Sequence, residues 1–229
     1  MDRLRAIIFD FDGIIANTEP LHFAGLRKTL AEIGIELTES TYYADYLGYD
    51  DRGCFIAALT ASGRPVDPAT LARLMERKAR AYLESVKEHL TIFPGIPEFV
   101  REAATLFPLA IASGALRHEI EYILEQIGLH KEFTHITSAE DVTRGKPDPQ
   151  PFLHALEGLR RQSDTLLSAG SCLVIEDSLP GIRGAKAAGM KVLAVSNTHT
   201  IQDLHEADAT VATVKDIGLA ELRTSLWPR

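Results

Sequence analysis

The sequence predicts an α/β protein: a doubly wound parallel sheet with a block of helices inserted after its first strand. Three observations carry this. Short apolar runs at 6–9, 108–112, 172–175 and 192–195 alternate with helical patterns, the rhythm of parallel strands joined by right-handed crossovers. The first three runs end on polar residues, Asp10, Ser113 and Glu176-Asp177; in an open α/β sheet ligands bind at the carboxyl ends of the strands. No convincing strand falls between Asn17 and Leu90, which departs from the βαβ rhythm and marks an inserted helical domain. The expected organisation is an α/β core over 1–16 and 91–229, with a helical domain inserted over 17–90.

Taken in order, Ala6-Ile7-Ile8-Phe9 is a continuous β-branched and aromatic run, as a strand buried on both faces requires. Asp10, Asp12 and Gly13 follow it as a loop. Asn17 or Thr18 can cap a helix whose first turn suits Glu19 and Pro20. Phe23, Leu26, Leu30 and Ile33 fall at helical spacing, and Gly34 ends the run. Further helices are expected over 51–61 and 68–88, the second with Leu71, Leu74, Met75, Tyr82 and Val86 on one face. Phe93-Pro94-Gly95 is a re-entry turn into a helix over 96–105. The strand 108–112 then runs into Ser113-Gly114, followed by a helix over 116–127, a short strand at 135–137 and a helix over 150–159. The strand 172–175 leads to a helix ending at Gly189, then the strand 192–195 and a weak strand at 209–211.

The chain has 229 residues, 45% of them hydrophobic and 24% charged, ordinary material for a core with a smaller insertion. A formal charge of −8 leaves no basic stripe to replace the counterions of a nucleic acid or an anionic membrane. It also means that a phosphorylated substrate would need a metal ion and a few Lys or Arg inside the site. Cys54 and Cys172 lack CxxC spacing and imply neither a zinc site nor a disulfide framework; Cys172, opening an apolar run, reads as buried packing and Cys54, in a helical stretch, as a small hydrophobe. No basic-plus-apolar leader precedes the first strand, and no run is long enough to span a bilayer. The expectation is a soluble cytoplasmic protein without membrane or nucleic-acid partners, monomeric or a weak homo-oligomer, acting on a small-molecule phosphate ester.

The chemistry sits at the strand ends. Asp10, Ser113 and Asp177 each stand just after a strand and can converge at one sheet edge, with Lys146 reaching in on a loop. With a reference pKa of ~4, the Asp10 carboxyl is ionised and nucleophilic without a helper base. Asp10, Asp12 and Asp177 supply hard oxygen ligands suited to Mg²⁺. Mg²⁺ and Lys146 can neutralise a phosphoryl group passing to Asp10. Ser113 with the Gly114 and Ala115 N–H groups, where a strand meets a helix, reads as an anion cradle. Asp12 can protonate the leaving oxygen and then activate water. Each feature also has a plainer reading: an Asp-rich turn, a loop lysine, helix-capping residues at Ser113 and Glu176-Asp177. Four such coincidences in order outweigh it.

FDFDGIIANTEP, with Ser113, Lys146 and Glu176-Asp177, resembles the haloacid dehalogenase superfamily in its phosphatase and β-phosphoglucomutase-like branch with an α-helical cap; the match runs over nearly the whole chain. The resemblance implies a Rossmann-like core, Asp10 as nucleophile and Asp12 as general acid/base that also offers a backbone carbonyl to Mg²⁺. Ser113 matches the phosphate-binding Ser/Thr, Lys146 the motif lysine and Glu176-Asp177 the acidic motif, with Asp177 the firmer metal ligand. The second Asp separates phosphoryl transfer from dehalogenation. Thr18 and His22 match a Thr and a His of the mutase-like subgroup, tied there to the cap hinge and to positioning the acid/base; from its own surroundings His22 reads equally as a packing histidine. The mutases carry a Lys and an Arg in the cap's substrate loop. In YLGYDDRGCF, Leu47 and Asp51 stand there instead, with Arg52 one residue away as a substitute. Arg117 and Arg144 near the motif loops read mainly as surface arginines.

The resulting expectation is a Mg²⁺-dependent phosphatase of a sugar or short acid phosphate, working through an aspartyl-phosphate intermediate. A hexose-phosphate mutase of the β-phosphoglucomutase type and a non-catalytic binding module are the alternatives.

Overall fold

The computed structural model describes residues 3–46, 49, 51–162 and 166–228. The chain forms two compact units, Met1–Asn17 with Ile92–Arg229, and Thr18–Thr91.

The first unit holds a six-stranded sheet of β1 (Ala6–Phe9), β2 (Leu109–Ala112), β3 (His135–Thr137), β4 (Cys172–Glu176), β5 (Lys191–Val195) and β6 (Ala209–Val211). Its order is β3-β2-β1-β4-β5-β6, with every pair parallel. The order reverses at β1, so the loops leaving β1, β2 and β4 share one edge at the switch point. Phe9 pairs with Ile111 on one side and Ile175 on the other, which brings Asp10 level with Ala112 and Glu176, with Ser113 one residue further along the same edge. The ladder runs one residue further, with Asp10 N–H donating to Ile175 O and Ser113 N–H to Thr137 O.

The pleat assigns the side chains. Ala6 and Ile8 join Ala110, Val174, Phe152 and Ile182 in one buried cluster. Phe9, on the opposite face, meets Phe99 and Phe133 edge-on, with ring centroids 6.2 and 5.7 Å away. Removing the Phe9 ring would cost about 3–5 kcal/mol. Cys172 opens β4 fully buried, and burial pushes its thiol up to about 12.

The second unit contains α1 (Glu19–Ala31), α2 (Glu39–Thr41) continuing into a π-helical turn at Tyr42–Tyr46, α3 (Asp51–Ala61) and α4 (Pro68–His89). Phe23, Leu26, Leu30, Tyr42, Cys54, Phe55, Leu71 and Leu74 form its core. Asp67 caps α4 by accepting from Thr70 N–H at 2.9 Å. Thr18 takes the cap position of α1 but its side chain makes no capping bond, because its backbone is already helical; the sequence reading expected a capping side chain. Ile33 lies just past α1, in the turn that Gly34 closes at φ +73°. On the buried face of α4, among Leu71, Leu74, Tyr82 and Val86, sits Lys78.

The remaining helices belong to the first unit: α5 (Ile96–Leu106), α6 (Arg117–Gln126), α7 (Gln150–Gln162), α8 (Leu179–Ala187) and α9 (Leu219–Leu226). The last has no counterpart in the sequence reading. It buries Leu219, Leu222 and Leu226, and Trp227 just beyond it donates to Gly170 O at 2.8 Å. No helix among the described residues is long and apolar enough to cross a membrane.

Candidate active site

At the shared sheet edge Lys146 is the hub. Its Nζ lies 2.7 Å from Oδ1 of Asp10 and 2.7 Å from Oε1 of Glu176. The aliphatic stem leaves the ammonium 5.2 Å from the Phe152 ring centroid. Carboxylate oxygens of Asp10, Glu176 and Asp177 come within 4.8 Å of one another, and all three residues are buried. The convergence expected from strand ends far apart in sequence is present for Asp10, Glu176, Asp177 and Lys146.

The local sequence builds this crowding. Asp10 Oδ1 also accepts from Phe11 N–H at 2.7 Å, which holds the carboxylate at the strand end. Gly13 has φ +79°, and a β-carbon there would collide with the Asp177 carboxylate. Gly13 is therefore required twice, by backbone conformation and by space. Gly181, in α8, leaves room for Glu176 in the same way. Glu176 is saturated: Oε1 takes Lys146, while Oε2 accepts from Asp177 N–H, Ser178 N–H and the Ser178 hydroxyl at 2.7 to 2.9 Å. Ser178, not Glu176 or Asp177, caps α8 by accepting from Gly181 N–H.

Electrostatics follow from the count of charges. Among the described residues, three buried carboxylates face one ammonium. Burial, and then the Glu176 charge, holds the Asp10 carboxyl well above the usual carboxylate range, with Lys146 opposing. Burial and Glu176 push Asp177 up to about 7. Glu176 itself sits low: burial works against its charge, but Lys146 and its hydrogen-bond donors prevail. Burial works against the Lys146 charge as well, and Asp10 and Glu176 more than offset it. A surplus of buried negative charge on hard oxygen atoms fits a divalent cation such as Mg²⁺. Glu176 has least to offer it, because its oxygens already have donors.

Ser113 is buried on the loop after β2. Its hydroxyl donates to Oδ2 of Asp12 at 3.3 Å and accepts from Ala115 N–H at 2.9 Å. The anion cradle is thus smaller than the sequence suggested: Ala115 N–H is already engaged, and α6 starts only at Arg117, with Leu116 at its cap, so residues 113–116 form a turn rather than a helix start. Gly114 lies in that turn with open space around it. Arg117 ties α6 to β3 through Ile136 O at 2.9 Å and to the segment after it through Asp141 at 2.7 Å, and Arg144 pairs with Asp148 at 3.2 Å.

Sequence reasoning missed two residues. The Thr198 hydroxyl donates to Oδ2 of Asp177, and Asn197 Nδ2 donates to Gly13 O at 2.7 Å. Both follow β5, so the rule that singled out the ends of β1, β2 and β4 applied to them as well. In the second unit, Thr18 is buried, His22 lies near the start of α1, and Arg52 is exposed on α3. Leu47 lies outside the described residues.

Residues 7–195 match the family model of haloacid dehalogenase-like hydrolases. The chain is 31% identical over 219 residues to the phosphorylated carbohydrates phosphatase of Thermotoga maritima, covering 93% of this chain and 94% of that one. Its fold superposes on CbbY from Rhodobacter sphaeroides in complex with phosphate, with a TM-score of 0.84, 24% identity and coverage of 96% and 99%. It superposes equally on β-phosphoglucomutase from Clostridium difficile, with a TM-score of 0.83, 22% identity and coverage of 97% of each chain. With a parallel sheet reversing at β1 and acids at its carboxyl edge, the chain belongs to the haloacid dehalogenase-like hydrolase family.

Proposed function

We propose that this hydrolase is a Mg²⁺-dependent phosphatase of a small phosphorylated metabolite, a sugar phosphate or a short acid phosphate, acting through an aspartyl phosphate on Asp10. The observation that carries the reading is the pair of 2.7 Å contacts by which Lys146 joins Asp10 to Glu176 beside Asp177. The T. maritima relative is by name a phosphatase of phosphorylated carbohydrates.

Asp10 attacks phosphorus, and the bond to the leaving oxygen breaks. Asp12 supplies the proton that oxygen needs, then removes one from the water that attacks the aspartyl phosphate and releases Asp10. Lys146 holds Asp10 in place and meets the charge on the phosphoryl oxygens. Ser113 and Gly114 N–H orient the phosphoryl group, and Ser113 also holds Asp12 through its hydroxyl. Asp10, Asp177 and the Asp12 main-chain carbonyl would hold Mg²⁺, which supplies positive charge against the phosphoryl oxygens. Glu176 serves to orient Lys146. The helical unit acts as a cap that selects the leaving group and excludes water, with Thr18, His22 and Arg52 as its contribution to substrate binding.

A phosphomutase shares every step except the final acceptor. Asp51, which stands where the mutase pattern has an arginine, is the counter-ion of Lys78 and carries no positive charge to grip a second phosphate. That favours the hydrolase.

A panel of phosphorylated metabolites, assayed for phosphate release with Mg²⁺ and with EDTA, tests the reading. Mg²⁺-dependent release from sugar or short acid phosphates is expected. Isomerisation of β-glucose 1-phosphate, primed by a trace of the 1,6-bisphosphate and without free phosphate, would overturn it in favour of a mutase.

A further inference from the structure

The helical unit buries a lysine of its own, Lys78. The Lys78 side chain has no exposed surface, and its Nζ lies 2.7 Å from Oδ1 of Asp51 and 2.7 Å from Nδ1 of His22. It sits 4.8 Å from the centroid of the Tyr82 ring, on which the His22 ring stacks at 4.3 Å and 25°. Asp51 opens α3, Lys78 lies within α4 and His22 is near the start of α1, so the network joins three helices.

An ammonium donates and cannot accept. The Lys78 ammonium has the partly exposed Asp51 carboxylate as its counter-ion. It therefore donates to His22, whose Nδ1 must present a lone pair. A neutral imidazole that accepts at Nδ1 carries its proton on Nε2. A doubly protonated His22 would place two cations 2.7 Å apart. The Tyr82 stack fixes the plane of the ring.

We infer that Asp51 is a positioning residue: as the counter-ion that holds the Lys78 ammonium against Nδ1, it fixes His22 as the Nε2–H tautomer, so that His22 offers a hydrogen-bond donor to an oxygen acceptor and does not serve as a base. The tautomer follows from the helical unit alone; only its consequence for turnover rests on the proposed phosphatase activity.

Long-range proton–nitrogen NMR of the full chain with labelled histidine tests this, with the His22 signals assigned by their loss in His22→Gln. The wild-type protein is expected to show an unprotonated Nδ1 and a protonated Nε2 at neutral pH. A protonated Nδ1 would overturn the inference, whatever the variants do. In Asp51→Asn the tautomers should mix and kcat toward p-nitrophenyl phosphate should fall about tenfold with KM little changed. Asp51→Glu should restore both. A folded Asp51→Asn protein with the wild-type tautomer would also overturn it. The spectra need no substrate, so a chain that proved not to be a phosphatase would leave the tautomer result standing.

Discussion

Two lysines organise the two units, and they differ in the charge around them and in exposure. Among the described residues, Lys78 meets one carboxylate and one imidazole, a set in which charges cancel. Lys146 meets two carboxylates with a third alongside, a set in which they do not. Lys78 has no exposed side-chain surface, whereas Lys146 keeps 14%. A balanced buried network closes on itself and orders the helices around it. An unbalanced one at the open edge of a sheet is suited to a cation and a reacting group.

Lys146→Met should lose the most. The three carboxylates would be left without their ammonium, and turnover should drop by about 10²–10³-fold, as when one strong transition-state donor is removed. Lys78→Met keeps the stem in the helical core and leaves one partly exposed Asp51, so its main effect should be a loss of stability of about 1–3 kcal/mol, read by urea denaturation. A larger loss of turnover in Lys78→Met than in Lys146→Met would reverse the comparison.

Gly13→Ala sharpens the same contrast. It forces a side chain into a left-handed backbone and against Asp177, so it should reduce Mg²⁺-dependent turnover at least tenfold and cost about 1–3 kcal/mol. Wild-type turnover in this variant would show that the position of Asp177 is not critical.

The pH dependence of the metal-free protein follows from Asp177. Its carboxyl is pushed up to about 7 in the fold against 3.8 in an open chain. Between those values the folded state holds the extra proton, so this group stabilises the fold at low pH and the contribution is lost as pH rises through about 7. In EDTA the melting temperature of the wild type should fall, relative to Asp177→Asn, as pH goes from about 4 to 7.5. Added Mg²⁺ should restore it most at the upper end. Parallel curves for the two proteins would show that Asp177 bears no such strain. The smallest effect is expected at the exposed Arg80–Glu76 pair of α4, where Arg80→Ala should change stability by less than about 0.5 kcal/mol.

Much of this was legible in the sequence, for definite reasons. A strand buried on both faces is a continuous apolar run, so β1, β2 and β4 announced themselves, and their carboxyl ends located Asp10, Ser113 and Asp177 without knowledge of the contacts. The long amphipathic α4 was equally plain. Lys78 was not, because reading the apolar stripe passes over a charged residue on it; yet a lysine in register with Leu71, Leu74 and Tyr82 is the signal of a buried ion pair. Thr198 escaped because the strand-end rule was not carried on to β5. The engagement of Ala115 N–H by Ser113, and the space that Gly181 leaves for Glu176, depend on side-chain placement in three dimensions, which spacing along the chain does not encode.

The covalent step can be observed directly. Rapid acid quenching during turnover of a phosphorylated sugar, followed by peptide mass spectrometry, should find a phosphoryl group on the peptide carrying Asp10 and none in Asp10→Asn. Steady turnover with that peptide unmodified, or with the phosphoryl group on another residue, would contradict the account.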